Sequence, residues 1–144
     1  LTEDQKTNRR TGMTEMKAIN PWKWQDQLGF SQAIEVPGAK RVVYCSGQTS
    51  VDESGAPIHI GDMAKQINQA LDNLETVLSH AGMTLANVVR LNYYITDMAE
   101  FLHAAPSFGA RVAMAGCKPS STVLAVAGLF HPGLMVEIEA TAVE

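Results

Sequence analysis

The chain has 144 residues, of which 46% are apolar and only 18% charged, with 11 Lys and Arg against 15 Asp and Glu. That length suits one domain able to bury roughly two-thirds of its unfolded surface without staples. A net charge of −4 argues against a general polyanion binder, because nucleic-acid affinity comes largely from Lys and Arg displacing counterions. No apolar run approaches the roughly 18–20 residues of a membrane span, and the charged N-terminus is unlike a signal peptide. Cys45 and Cys117 are too few for a disulfide scaffold, so a cytoplasmic protein with reduced thiols is expected.

Residues 1–20 scatter Lys6, Arg9, Arg10 and Lys17 among polar residues without helical or strand periodicity. They are expected to form a disordered leader before a single domain over 21–144. Trp22 and Trp24 would point the same way in an extended segment, covering a hydrophobic edge or a neighbouring subunit. Phe30 to Val36 alternates loosely and ends at Pro37-Gly38, as a strand entering a turn does. Arg41 to Gly47 is β-branched and aromatic, which predicts a buried strand.

Asp62 to Ala81 is the clearest element. Met63, Ile67, Ala70, Leu71, Leu74, Val77, Leu78 and Ala81 recur every three or four residues and form one apolar stripe. Asp62 can cap this helix, Gly82 can end it, and Lys65, Gln66, Asn68, Gln69, Asp72, Asn73 and Glu75 read as its solvated face.

Val88 to Thr96 reads as a strand with Val89, Leu91, Tyr93 and Ile95 on one face and Arg90, Asn92, Tyr94 and Thr96 on the other. Asp97 and Glu100 open a short turn, and Pro106 in a first turn predicts a second helix from about Ala104 to Ala115. Ser121 to Ala127 reads as a strand buried on both faces. Met135 to Val143 alternates, with Val136, Ile138, Ala140 and Ala142 facing one way. Two strands, helix, strand, helix and two strands make an α+β fold, with two helices on one face of a mixed β-sheet.

His59, His80, His103 and His131 are widely spaced and no Cys-x-x-Cys occurs, so no metal site is expected. Phosphate-binding loops, dinucleotide fingerprints and nucleophile elbows are also missing, so no cofactor is expected. Cys45 reads as a packed small residue, while Cys117 lies in a predicted loop with only Lys118 nearby to activate it. Glu137 and Glu139 share one strand face about 7 Å apart, either solvated or lining a cleft. In a cleft, such a carboxylate can position or deprotonate a water.

Phe30-Ser31-Gln32-Ala33, Val43 to Gln48, Gln69 to Leu74, Tyr94 to Met98 and Val136 to Ala140 occur in order. Together they resemble the RidA family, also called YjgF or L-PSP endoribonuclease-like, over about Phe30 to Val143. The resemblance implies a chorismate-mutase-like α+β fold, a homotrimer and ligand clefts between subunits. Archetypal members hydrolyse reactive imines and enamines, such as 2-aminoacrylate, to keto acids and ammonia. The implied site places Glu137 as the group that handles the attacking water, with Phe30, Ser46, Gly47, Ala105 and Ser121 lining the substrate pocket. Several of these depart from the archetype. Ser121 stands where an arginine pairs with the substrate carboxylate, Phe30 where a tyrosine stands, and Ala105 where an asparagine stands.

A hydroxyl cannot give the charged, bidentate recognition of a guanidinium. The chain therefore resembles an arginine-lacking branch, with a more apolar pocket suited to a larger, less anionic imine or enamine. Arg90, Arg111 and Lys118 are the candidate replacement cations. Three readings follow. The first is a divergent cytoplasmic deaminase acting on a small-molecule imine, with no nucleic acid or membrane partner. The second is a non-catalytic small-molecule-binding or chaperone-like trimer. The third, a ribonuclease, is opposed by the acidic balance.

Overall fold

The computed structural model of the chain describes residues 15–144. Its strands are β1 (Lys17–Ile19), β2 (Ala33–Glu35), β3 (Val42–Thr49), β4 (Val88–Ile95), β5 (Val123–Ala125) and β6 (Val136–Val143), and its helices are α1 (Met63–His80) and α2 (Met98–Met114). The main sheet runs β3-β6-β4-β5, and β1 and β2 form a separate antiparallel pair. β4 and β5 are parallel, while β6 is antiparallel to both its neighbours, so the main sheet is mixed. Both helices cover one face of it, which is the α+β arrangement expected.

The strongest period in the sequence makes the clearest helix. Met63, Ile67, Ala70, Leu71, Leu74 and Leu78 of α1 are buried, and Asp62 caps the helix by accepting the Lys65 N–H. Gly82 takes a positive φ of 72°, which lets the Met83 N–H reach back to the Leu78 carbonyl and close the last turn. Two positions differ from the periodic reading: Val77 is exposed, and Gln66, expected among the solvated residues, is wholly buried. Residue 66 falls between 63 and 70 on the same stripe, so it faces inward whatever its polarity. Its Nε2 donates to the His59 and Gly133 carbonyls, and its Oε1 accepts the Met135 N–H. Three bonds satisfy the buried amide.

α2 begins six residues earlier than expected, capped by Asp97, and runs straight through Pro106. The proline lacks an N–H for the Leu102 carbonyl, yet both residues are exposed, so water can serve that carbonyl. Phe101 and Phe108 of α2 meet Tyr93 of β4 at ring-centroid distances of 5.5 and 5.8 Å and fix the helix to the sheet.

Three strand expectations also change. Lys17–Ile19, assigned to the unstructured leader, pairs with Ala33–Glu35 as β1, whereas the rest of the leader up to residue 14 lies outside the described residues. β3 and β5 are edge strands, not buried ones: Tyr44 is 81% exposed and Leu124 49%. β-branched and apolar composition registers strand propensity, which an outer edge satisfies as well as a centre. Finally, a register irregularity between Val88 and Arg90 turns Val88, rather than Val89, into the core.

Candidate functional site

The sheet face turned away from the helices carries the polar residues of β3, β4 and β6. On β6, Ile138 and Ala140 enter the core, so Glu137 and Glu139 project from the opposite face. Glu137 lies opposite Thr49 on one side and Tyr94 on the other.

β3 has a register shift between Cys45 and Gln48, paired with Ala140 and Ile138, which leaves Ser46 and Gly47 in an irregular step. A Cβ on Gly47 would stand only 1.7 Å from Glu137 Oε1, so the carboxylate occupies the space that any other residue would fill. Gly47 is not among the positive-φ glycines, so its need here is spatial rather than conformational. Gly47→Ala should change stability by less than about 0.5 kcal/mol, since a side-chain tip must yield, not backbone. A crystal structure of the variant should show Glu137 turned away from β3. A carboxylate still in place over residue 47 would contradict this reading.

Glu139 has a different environment. The Tyr94 hydroxyl donates to its Oε1, and Asn92 Nδ2 donates to the same atom at 3.2 Å. Asn92 Oδ1 in turn accepts the Thr122 N–H at 3.1 Å, linking β6 through β4 to the entry of β5. The Tyr94 bond first, then Asn92 and the nearby Arg90 charge, hold the Glu139 carboxyl below its usual range, while the same bond pushes the Tyr94 phenol up. A carboxyl lowered by folding stabilises the fold above its unfolded pKa and loses that contribution as pH falls through the folded value. Tyr94→Phe should therefore move the Glu139 titration upward in a carboxylate-resolved NMR experiment. An unmoved titration would show that the bond does not persist in solution.

The β4 alternation already placed Arg90, Asn92 and Tyr94 on one face. Which strand would lie beside that face was not readable, so this network was missed.

The remaining candidates lie elsewhere. Ser121 shares the inward direction of Leu91, because the parallel register sets residues 93 and 123 side by side, and its hydroxyl donates to the Leu91 carbonyl at 2.6 Å. That bond uses its only proton, so toward a ligand Ser121 can accept but not donate. Ala105 is half-buried in α2, on the helical side of the sheet. Phe30 precedes Ser31, whose N–H and hydroxyl donate to the Pro119 and Lys118 carbonyls at 2.9 and 2.8 Å. The Phe30 segment thus borders the β5 edge.

Within one chain the structure brings Gly47 against Glu137 on the outer face, with Ser46 exposed in the same irregular step of β3. It leaves Ala105 and Ser121 on the helical side and Phe30 at the sheet edge.

The candidate cations separate in the same way. Arg111 bridges the helices, donating to Asp72 and Glu75 of α1 at 2.6 and 2.5 Å and to the Asn68 carbonyl, so it serves packing. Arg90 is exposed near Glu139, and Lys118 is exposed beside the Ser31 contact. Cys117, expected in an accessible loop, is buried, and burial pushes its thiol up to about 12, which makes it a poor nucleophile. Burial also raises the Cys45 thiol. Among the described residues, no group of three or more His, Cys, Asp and Glu side chains is placed to hold a metal ion.

The profile of the Endoribonuclease L-PSP family matches residues 25–144. The mouse 2-iminobutanoate/2-iminopropanoate deaminase is 33% identical over 129 residues, spanning 89% of this chain and 91% of that protein. Protein DfrA of Myxococcus xanthus is 31% identical over 127 residues, 88% of each chain. Among solved structures, the Rid-family protein YyfB of Yersinia pestis superposes with a TM-score of 0.78 at 32% identity, covering 90% of this chain and 98% of its own. The YjgF gene product of E. coli gives 0.64 at 26% identity, covering 80% and 87%. The chain belongs to the RidA/YjgF family, whose profile carries the L-PSP endoribonuclease description.

Among the described residues no helix is long and apolar enough to cross a membrane.

Proposed function

We propose that the chain is a divergent imine deaminase that converts a reactive imine and water to a carbonyl compound and ammonia. The observation that carries this reading is the Glu137 carboxylate seated over Gly47 on an open sheet face. A carboxylate there can take a proton from water as the water oxygen bonds to the imine carbon. Returning that proton to the nitrogen gives a carbinolamine, and a second proton, carried from the new hydroxyl to the nitrogen, lets ammonia leave as the carbonyl forms. The Gly47 backbone borders the carboxylate, and Ser46, exposed in the same irregular step, supplies a neutral hydrogen-bonding group. Imine hydrolysis is intrinsically easy, so positioning alone can supply useful acceleration. Relatives named 2-iminobutanoate/2-iminopropanoate deaminase support the reaction class.

Substrate recognition needs a second copy of the chain. Ala105 and Ser121 face the helical side while Glu137 faces away from it, so these groups can line one cleft only across a subunit boundary. A homotrimer with three such clefts is the assembly this reading requires. The protein works in the cytoplasm without cofactor or metal. The acidic balance, −4 overall, speaks against nucleic acid as its substrate.

One observation favours a binding role without chemistry. The Ser121 hydroxyl is held by Leu91, so the archetype's charged recognition group has no equivalent at its own position. Imines made by an amino-acid oxidase, together with aryl and alkyl imines, distinguish the two readings. Wild type should hasten the decay of at least one, Glu137→Ala should not, and Ser121→Arg should shift preference toward small 2-imino acids. Measurable ligand binding with no hastened decay of any imine would favour the binding role.

A further inference from the structure

Charge is sorted along the main sheet. β3 and β4 run antiparallel to β6, and β5 runs parallel to β4, so the C-terminal ends of β3, β4 and β5 gather around the start of β6. Glu137 lies at that end. Lys40 and Arg41 precede β3, Arg90 lies near the start of β4 and Lys118 precedes β5, so these cations stand at the other end. Arg90 is the only Lys or Arg within the strands of the main sheet. It comes four residues before Tyr94, the register partner of Glu137, about 13 Å away along the strand. It is near enough to Glu139 to lower that carboxyl.

The Glu137 end is acidic. Residues 42–64, 91–110 and 119–144 contain no Lys or Arg. They place Asp52 and Glu53 in the loop after β3, Asp97 and Glu100 where β4 leads into α2, and Glu137 at the start of β6. Asp62 and Asp97 cap the two helices, and Lys65 meets Asp62 at 3.9 Å. Among the described residues, none of Asp52, Glu53, Glu100 and Glu137 is in an ion pair. Asp52, Glu53 and Glu100 are exposed, so their field extends into solvent and is screened by salt.

We propose that this acidic end selects iminium cations without a carboxylate, the products of amine oxidation, over 2-imino acids. The reaction rests on the deaminase reading of Glu137; the charge selection does not. An imine nitrogen takes a proton to become R–CH=NH2+, and nearby carboxylates favour that charged form. A 2-imino acid would bring its own carboxylate into the same negative field. Water adds to the iminium carbon as Glu137 takes one of its protons, which gives a neutral carbinolamine. That proton passes to the nitrogen, and the C–N bond breaks as the hydroxyl gives its own proton to the carboxylate. Ammonia then takes this last proton and leaves as ammonium, beside an aldehyde and a restored carboxylate. The reaction that supplies such a substrate is the two-electron oxidation of a primary amine.

The test pairs two imines that share a phenyl ring. An amine oxidase makes one from benzylamine, and an amino-acid oxidase makes the other, with its carboxylate, from phenylglycine. Calorimetry compares benzamidine, a stable planar cation, with phenylglyoxylate, a stable oxo anion. Wild type should favour the cationic member at least tenfold in both kcat/KM and Kd at about 0.02 M salt. Raising the salt to about 0.5 M should narrow that preference at least threefold. The Glu53→Lys, Glu100→Lys double variant should narrow it as far at low salt.

Salt-sensitive preference for benzamidine over phenylglyoxylate, without hydrolysis of either imine, would sustain the charge selection and overturn the deaminase reading. Hydrolysis of both imines alike, or of the phenylglycine imine faster, would overturn the proposal and leave the deaminase reading standing. A preference moved by neither salt nor the charge reversal would also overturn it, because contact rather than field would be the cause. Neither binding nor hydrolysis would overturn both.

Discussion

Glu137→Gln should lower imine hydrolysis by about two to three orders of magnitude, the usual loss when a positioned acid–base group is removed. Glutamine is nearly isosteric, so it should still fit over Gly47 and leave the melting temperature unchanged. What it lacks is a carboxylate that can take a proton from water. The loss should fall on kcat rather than KM, because the group acts in the proton-transfer step and not in holding the substrate's body. A variant retaining more than a third of wild-type kcat would remove Glu137 from the chemistry and leave it a polar residue of the sheet. Glu139 is the internal control. Its carboxylate is already engaged by Tyr94 and Asn92, so Glu139→Gln should act through the position of the β5 entry and cost far less.

Gln66→Leu should destabilise the fold by about 3 kcal/mol, a fall in Tm of roughly 10 °C for a chain of this size. Leucine fills similar volume, so the packing of α1 survives. The loss comes from orphaning the Met135 N–H and the Gly133 carbonyl, each bonded to the amide at 2.8 Å; the His59 carbonyl loses one donor and keeps the Asp62 N–H. His59 already holds a positive φ of 59°, uncommon for a residue with a side chain, and the Gln66 bond helps to keep it there. The Gly133–Met135 turn leads directly into β6, so loosening it should also disturb Glu137. Thermal melts at one fixed protein concentration are the appropriate measurement, because self-association would otherwise move Tm. An unchanged Tm would mean that the Met135 N–H and the Gly133 carbonyl find other partners.

What the sequence made legible follows from period and distance. α1 was readable because its apolar stripe, its capping Asp62 and its terminal Gly82 all agree. The two faces of β6 were readable because strict alternation leaves one assignment, and that put Glu137 on the correct face. Pro106 misled because a proline is costly only where its helix cannot hydrate the freed carbonyl, and exposure is not written in the local sequence. Gln66 misled because polarity was weighed above its place on the stripe.

The site was legible residue by residue but not as a constellation. Alternation assigns each side chain to a face without saying which strand lies beside it. The Gly47–Glu137 contact arises from β3 pairing with β6, some ninety residues apart in the chain. The separation of Ser121 from Glu137 follows from the parallel register of β4 and β5, and that of Ala105 from its place in α2 on the helical side. Both are products of topology.

The most direct measurement of the central claim is competition between the wild-type chain and semicarbazide for a free imine. An oxidase supplies the imine, semicarbazide traps whatever survives, and ammonia release is followed beside it. The deaminase reading predicts less trapped product and at least tenfold faster ammonia release with wild type, both restored to the protein-free level by Glu137→Gln. Trapping and ammonia release that are the same with and without the wild-type chain, for small and aryl-bearing imines alike, would contradict it.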